Sequence, residues 1–210
     1  MNKIVKRVVL ITGLIVALVV GAYICWMLAL AHAFGAFDKT YTQVDLIRHY
    51  EAKAPELWAL KSYVNSIVPA HQSVTIEFDG QRTIPIFHVQ VNDVYDSNWD
   101  VKWDSHRADT LLQQLGWTRQ TLSTLQAKLD RAGCISIASG EPCTIGYQRS
   151  GMGKYSYKLF AGPMSDSLQA QYSRSCTYIV YKPQVVLEYG GGAIGPQCFK
   201  EKQIHNTNDY

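Results

Sequence analysis

The chain reads as an α+β protein: an N-terminal single transmembrane helix, then one domain with helices packed on a mostly antiparallel sheet. Three observations predict this. Residues 8–37 contain no Asp, Glu, Lys or Arg. Beyond them the apolar period runs near 3.6 residues, switches to 2 from Val74, and returns to the helical value from Ser105 to Ala132. The last third then breaks into short strand-like pieces separated by Gly and Pro.

Val8 to Leu30 is 23 residues of almost wholly aliphatic or aromatic character. As a helix it reaches about 35 Å at ~1.5 Å per residue, enough for a hydrocarbon core of roughly 30 Å. The rival is a cleaved signal peptide, since Lys3, Lys6 and Arg7 precede the segment and Ala29-Leu30-Ala31 or Ala31-His32-Ala33 passes as a cleavage site. Signal h-regions are shorter, about 7 to 15 residues, so the length favours an uncleaved anchor. Three cations in the first seven residues, against Lys39 and Arg48 in the fifteen after Phe37, favour a cytoplasmic N-terminus. Cys25 follows Tyr23 and Ile24 and lacks the small residues of a lipobox. The expected organisation is a cytoplasmic tail (1–7), the span (8–30), a juxtamembrane linker (31–41) and an extracytoplasmic α+β domain (42–210).

Thr42-Gln43-Val44-Asp45 has capping-box spacing, with Asp in place of Glu or Gln, and starts a first helix. Pro55 is placed to begin a second, whose apolar face carries Leu57, Leu60, Val64 and Ile67 until Pro69 stops it. Val74, Ile76 and Phe78 alternate with polar residues, Asp79-Gly80 supplies a turn, and Ile84, Ile86, Val89 and Val91 return as a hairpin. Pro85 cannot donate a ladder hydrogen bond, so that strand is expected at an edge or with a bulge. Leu111, Leu112 and Leu115 form a further helix, Gly116 breaks it, Thr118 caps the next one, and Gly133 ends it. Strands are expected over 134–138, 144–149, 155–160, 176–181 and 185–189. This order of elements is similar to that of the cone-shaped NTF2-like domains, which several single-span secretion-system subunits carry outside the membrane; the resemblance lies in element order and implies a curved sheet with helices on one face.

Outside the span four cysteines remain, Cys134, Cys143, Cys176 and Cys198, an even number suited to two disulfides in an oxidising compartment. Of three connectivities, Cys134 with Cys143 and Cys176 with Cys198 is favoured, since each pair flanks consecutive strand-like segments. Zinc is disfavoured by the absence of C-x-x-C and H-x-x-x-H spacing, and no metal or cofactor is expected. Of 20 Lys+Arg, three precede the span, leaving 17 against 17 Asp+Glu. A neutral outer domain without a basic cluster excludes nucleic acid as a partner.

Three loops imitate chemistry. Gly190-Gly191-Gly192-Ala193-Ile194-Gly195 satisfies G-x-G-x-x-G, yet Pro196 and Cys198 follow where a dinucleotide fold needs a helix. Gly146 to Gly151 resembles the start of a Walker A loop with Met152 in the lysine position, leaving Arg149 and Lys154 as cations beside a hairpin tip or a small anion nest. Asp96, Asn98 and Asp100 echo a calcium loop, but Val101 and Arg107 occupy the positions that demand Gly and Glu. No catalytic motif is present, and a hydrolase version would require a base such as His88 near a serine.

The expected function is therefore that of a membrane-anchored, disulfide-stapled binding or accessory module without catalysis, its partners being the lipid bilayer and a membrane or envelope protein. Gly13, Ala17 and Gly21, continued by Cys25 and Ala29, form a small-xxx-small stripe for helix packing. Trp99, Trp103, Arg149 and Lys154 are the candidate binding surface. The alternative is a cell-envelope hydrolase, or a glycan-binding module with Trp99 and Trp103 stacked on sugar rings.

Overall fold

The computed structural model describes residues 3–80, 82–191, 195–200 and 202, and divides into two units, Met1–Lys39 and Thr40–Tyr210. The first unit holds α1 (Lys3–Ala33), whose stretch Leu10–Ala33 is apolar and long enough to cross a membrane. The helix outruns the expected 8–30 span at both ends, because hydropathy marks where lipid contact is tolerable and not where the backbone hydrogen bonds stop.

In the second unit the capping box forms as its spacing predicts. Thr42 Oγ1 accepts from Asp45 N, Asp45 Oδ2 accepts from Thr42 N at 2.9 Å, and α2 (Gln43–Ile67) follows. Pro55 does not start a second helix; it lies inside α2. An interior proline removes a hydrogen bond and costs on the order of 3 kcal/mol. Here Leu46 and Tyr50 before it and Leu57, Leu60 and Val64 after it all enter the same core, so burial on both sides holds the helix continuous.

The hairpin β1 (Gln72–Glu77) and β2 (Thr83–Val91) pairs antiparallel, Ile76 facing Phe87. β2 is not an edge strand: β3 (Val94–Asp96) and β4 (Trp99–Lys102) both pair with its far side. Its proline is accommodated by broken alternation, since Ile84 and Phe87, three residues apart, are both fully buried, and Asp100 in β4 takes φ 50°. Asn92 and Asp93, both at positive φ between the paired Val91 and Val94, form a two-residue β2–β3 turn that suits the strand twist.

Two helices then follow as predicted, α3 (His106–Gln114) capped by Ser105 and α4 (Arg119–Ala132) capped by Thr118, the latter closed by Gly133 at φ 65°. β5 (Ser136–Ala138), β6 (Cys143–Ser150) and β7 (Gly153–Leu159) continue the meander; α5 (Asp166–Ser173), capped by Ser165, precedes the hairpin β8 (Tyr178–Lys182) and β9 (Val185–Gly190). The sheet order is β3-β2-β1-β5-β6-β7-β9-β8, with β4 on β2 and every pair antiparallel. One face carries the main core with α2, α3 and α4. On the other, α5 covers only the β8–β9 end, where Leu168 and Tyr172 pack with Phe160, Met164 and Val186.

Candidate functional site

Cross-strand register lines up one row of residues on the face that α2, α3 and α4 leave free. Trp99 faces Ile86, Ile86 faces Glu77, Glu77 faces Ser136, Ser136 faces Gly146, Gly146 faces Ser156, and Ser156 faces Glu188. Small polar residues thus occupy the middle of this face, with an aromatic rim at the β3–β4 end and α5 at the other.

Glu77, only 3 % exposed, is the charged centre of the row. Arg149 Nε donates to its Oε1; Lys154 Nζ donates to its Oε2 at 3.0 Å and to Ser136 Oγ at 2.9 Å. Two sequence devices make this possible. The register shift between Gly146 and Gln148 takes in an extra residue, so Tyr147 packs towards the main core while Arg149 emerges on the Glu77 side. Without that bulge, Arg149 would share the parity of core residue Ile145. The second device is Gly146 itself, where a Cβ would stand 2.0 Å from Ser136 Oγ and 3.0 Å from Lys154 Cδ; its missing side chain is the channel through which Lys154 reaches the carboxylate. One carboxylate thus holds two cations, and the group keeps one net positive charge.

The aromatic rim is built around His88. Its Nδ1 accepts from Asn98 N at 3.0 Å and stands 3.2 Å from Ser97 Oγ, which ties the β3–β4 connector to β2. Trp99 lies edge-on to the imidazole at a centroid distance of 4.9 Å, and Tyr95 lies at 5.5 Å. Desolvation lowers the His88 pKa, the Lys154 cation adds to that effect, and Asp96 opposes it. The ring is therefore neutral near pH 7, and its Nδ1 lone pair is occupied by the Asn98 amide. The serine that a hydrolase version required stands beside His88, but the geometry uses the imidazole to hold a connector. Arg107 braces the same connector through Asp96 Oδ1 and Asn98 Oδ1. On this support Val94, Tyr95 and Trp99 are 70, 60 and 63 % exposed; among the described large apolar residues of the second unit only Val44 is comparably open.

The remaining sequence candidates fall elsewhere. Trp103 does not join Trp99: its ring lies 6.0 Å from that of Phe78 and packs on the main core, so no two-tryptophan platform forms. Arg149 and Lys154 do come together, but around Glu77 and not as an open anion nest. Of the calcium-like residues, Asp96 pairs with Arg107, which also donates to Asn98 Oδ1, and no metal-binding group of His, Cys, Asp or Glu occurs among the described residues. Gly192 to Ile194 of the glycine-rich loop lie outside the described residues. Gly13, Ala17 and Gly21 recur along α1 with exposed side-chain positions.

Cysteine pairing needs a correction. Cys176 and Cys198 form a disulfide, while Cys134 and Cys143 are buried free thiols. The β5–β6 register explains the difference: Ser136 faces Gly146 and Ala138 faces Thr144, so Cys143 lies at the turn end of the hairpin and Cys134 at its open end. Burial pushes both thiols up to about 12, which makes them apolar packing groups.

Sequence reasoning also missed two buried polar clusters on the core face. Lys61, 6 % exposed, donates to Glu141 Oε2 at 2.8 Å and to Leu159 O at 2.6 Å, pinning α2 to the β5–β6 turn and the end of β7. His49 Nδ1 lies 2.9 Å from the Tyr157 hydroxyl, which donates to Leu46 O at 3.1 Å. The other ring nitrogen, Nε2, is buried against the Ala132–Gly133 end of α4. A lysine inside a helical apolar face and a histidine one turn from Asp45 were the only signals in the chain, and neither names its distant partner.

Comparison with known proteins yields no relative: no protein-family profile, curated protein or solved structure matches this chain.

Proposed function

We propose that this protein is a single-pass membrane anchor, N-terminus cytoplasmic, that presents its α+β unit outside the cytoplasm as a non-catalytic docking module for another protein of the same membrane or envelope complex. The observation that carries the reading is the Tyr95–Trp99 rim. Exposed aromatic side chains on a support of hydrogen bonds and ion pairs lose little conformational entropy on binding, and such residues dominate interface energetics. Three further features support it. The apolar stretch Leu10–Ala33 is not buried within the protein, Lys3, Lys6 and Arg7 precede it, and the Cys176–Cys198 disulfide suits an oxidising compartment. A membrane-confined partner fits because the anchor restricts the unit to the zone next to the bilayer.

The test is crosslinking in intact membranes with a photoreactive residue placed at Val94, and at exposed Gln113 on α3 as control. A discrete adduct at Val94, absent at Gln113 and lost when Tyr95→Ala and Trp99→Ala are combined, is the expected result. Identical adduct patterns at the two positions, or an adduct indifferent to the double replacement, overturn the docking role.

A further inference from the structure

The β1–β2 turn, the β4–α3 connector and α4 enclose an open cleft of about 490 Å³ lined by Gly80, Arg82, Trp103, Asp104 and Gln126. It is separate from the Tyr95–Trp99 rim and does not depend on the docking role. The volume falls within the roughly 300–1,000 Å³ range of small-molecule sites.

Trp103 is held from two sides: its N donates to Arg82 O at 2.8 Å, and its carbonyl accepts from Arg119, itself paired with Asp109. Packing on Phe78 fixes the ring while leaving it partly exposed at the cleft. Around this aromatic wall stand one guanidinium, one carboxylate and one amide. Arg107, Arg119 and Arg149 each hold a carboxylate, whereas Arg82 and Asp104 line one cleft without an ion pair between them or to any other described residue. Opposite charges beyond contact distance on the walls of one cleft leave room for a ligand that accepts from one and donates to the other. The balanced charge gives no preference for phosphate, and the aromatic wall favours an apolar face.

We infer that this cleft is a saccharide subsite, binding one pyranose ring with its C–H face against Trp103 and its hydroxyls shared among Arg82, Asp104 and Gln126. A sugar ring suits this set because each hydroxyl both donates and accepts, so one ring satisfies a donor-only guanidinium and an acceptor-only carboxylate together. Its C–H face buries against indole without demanding a hydrogen bond.

The test is saturation-transfer NMR on the full chain in nanodiscs, with cellobiose and N,N′-diacetylchitobiose as separate probes at millimolar concentration. Transfer to the ring C–H protons of at least one disaccharide is expected. Arg82→Gln and Asp104→Asn should each weaken that binding about tenfold, while Gln113→Ala, at an exposed position on α3 outside the cleft lining, leaves it unchanged. Trp103→Ala risks the core packing on Phe78, so the exposed Arg82 and Asp104 variants carry the decision. Absence of transfer from both probes overturns the inference, as does undiminished transfer in the Arg82→Gln, Asp104→Asn double variant.

Discussion

His49 shows how a single side chain links sequence, packing and pH response. Burial is the main cause of its lowered pKa; Lys53 adds to the lowering, while the Ala132 carbonyl and Glu56 oppose it. The Tyr147 ring lies tilted against the imidazole at a centroid distance of 4.2 Å, and its phenol is shifted upward by burial, as is that of Tyr157. The neutral imidazole is therefore the form the fold prefers. As pH falls through the ordinary histidine range the unfolded chain takes up a proton before the folded one does, so this stability is present above about pH 6.5 and is lost as pH drops below it. His88 acts in the same direction. The urea midpoint should decrease between pH 7.5 and 5, and the decrease should be smaller in His49→Gln; an equal decrease in that variant would contradict the assignment. The free thiols make a second residue-scale prediction. Cys134 and Cys143 should resist iodoacetamide at pH 8 in the folded protein and react fully in denaturant, as read by mass spectrometry.

Among the elements, β6 is the one whose irregularity builds the polar face. Its bulge turns Arg149 towards Glu77, and Gly146 clears the path of Lys154. Gly146→Ala should push Ser136 and Lys154 apart and cost about 1–3 kcal/mol, the usual scale for overpacking a filled site. Thermal unfolding measures the loss, and an unchanged midpoint would show that the strand can yield. Elements whose signals are local were legible in the sequence. The Thr42–Asp45 box, the Thr118 cap, the Gly133 stop and the alternation of Val74, Ile76 and Phe78 are each written within a few residues. Where a local signal competed with distant packing, the local one lost. Pro55 reads as a boundary, but the core on both sides keeps α2 whole. Asn92-Asp93 begins an acidic stretch whose composition suits a solvated strand or a loop alike, and tolerance of positive φ makes the pair the turn between β2 and β3. α5 buries no residue and carries only its Ser165 cap as a local signal.

For the molecule as a whole, anchor and disulfide together predict a compartment. Alkaline phosphatase fused after the α+β unit should be active when the fusion is exported through the native N-terminal segment, and inactive when Leu18 and Val19 are both changed to Arg; activity in both would contradict the proposed topology. Replacing Cys176 and Cys198 by Ser releases a closure spanning 22 residues and should lower stability by about 3 kcal/mol on the chain-entropy account, an effect that denaturant unfolding measures. The closure matters because Phe199, next to Cys198 and 1 % exposed, packs on Tyr155 and Tyr189. What the amino-acid order determined by itself was the apolar helix, the α+β class and most element boundaries, because lipid solubility, helical period, strand alternation and capping are properties of neighbouring residues. Only the tertiary structure decided that Cys134 and Cys143 stay apart, that Trp99 faces outward while Trp103 turns to the core, and that Glu77 gathers Arg149 and Lys154. Those outcomes depend on strand register and on one bulge, and register follows from how the two faces of the whole sheet are filled at once.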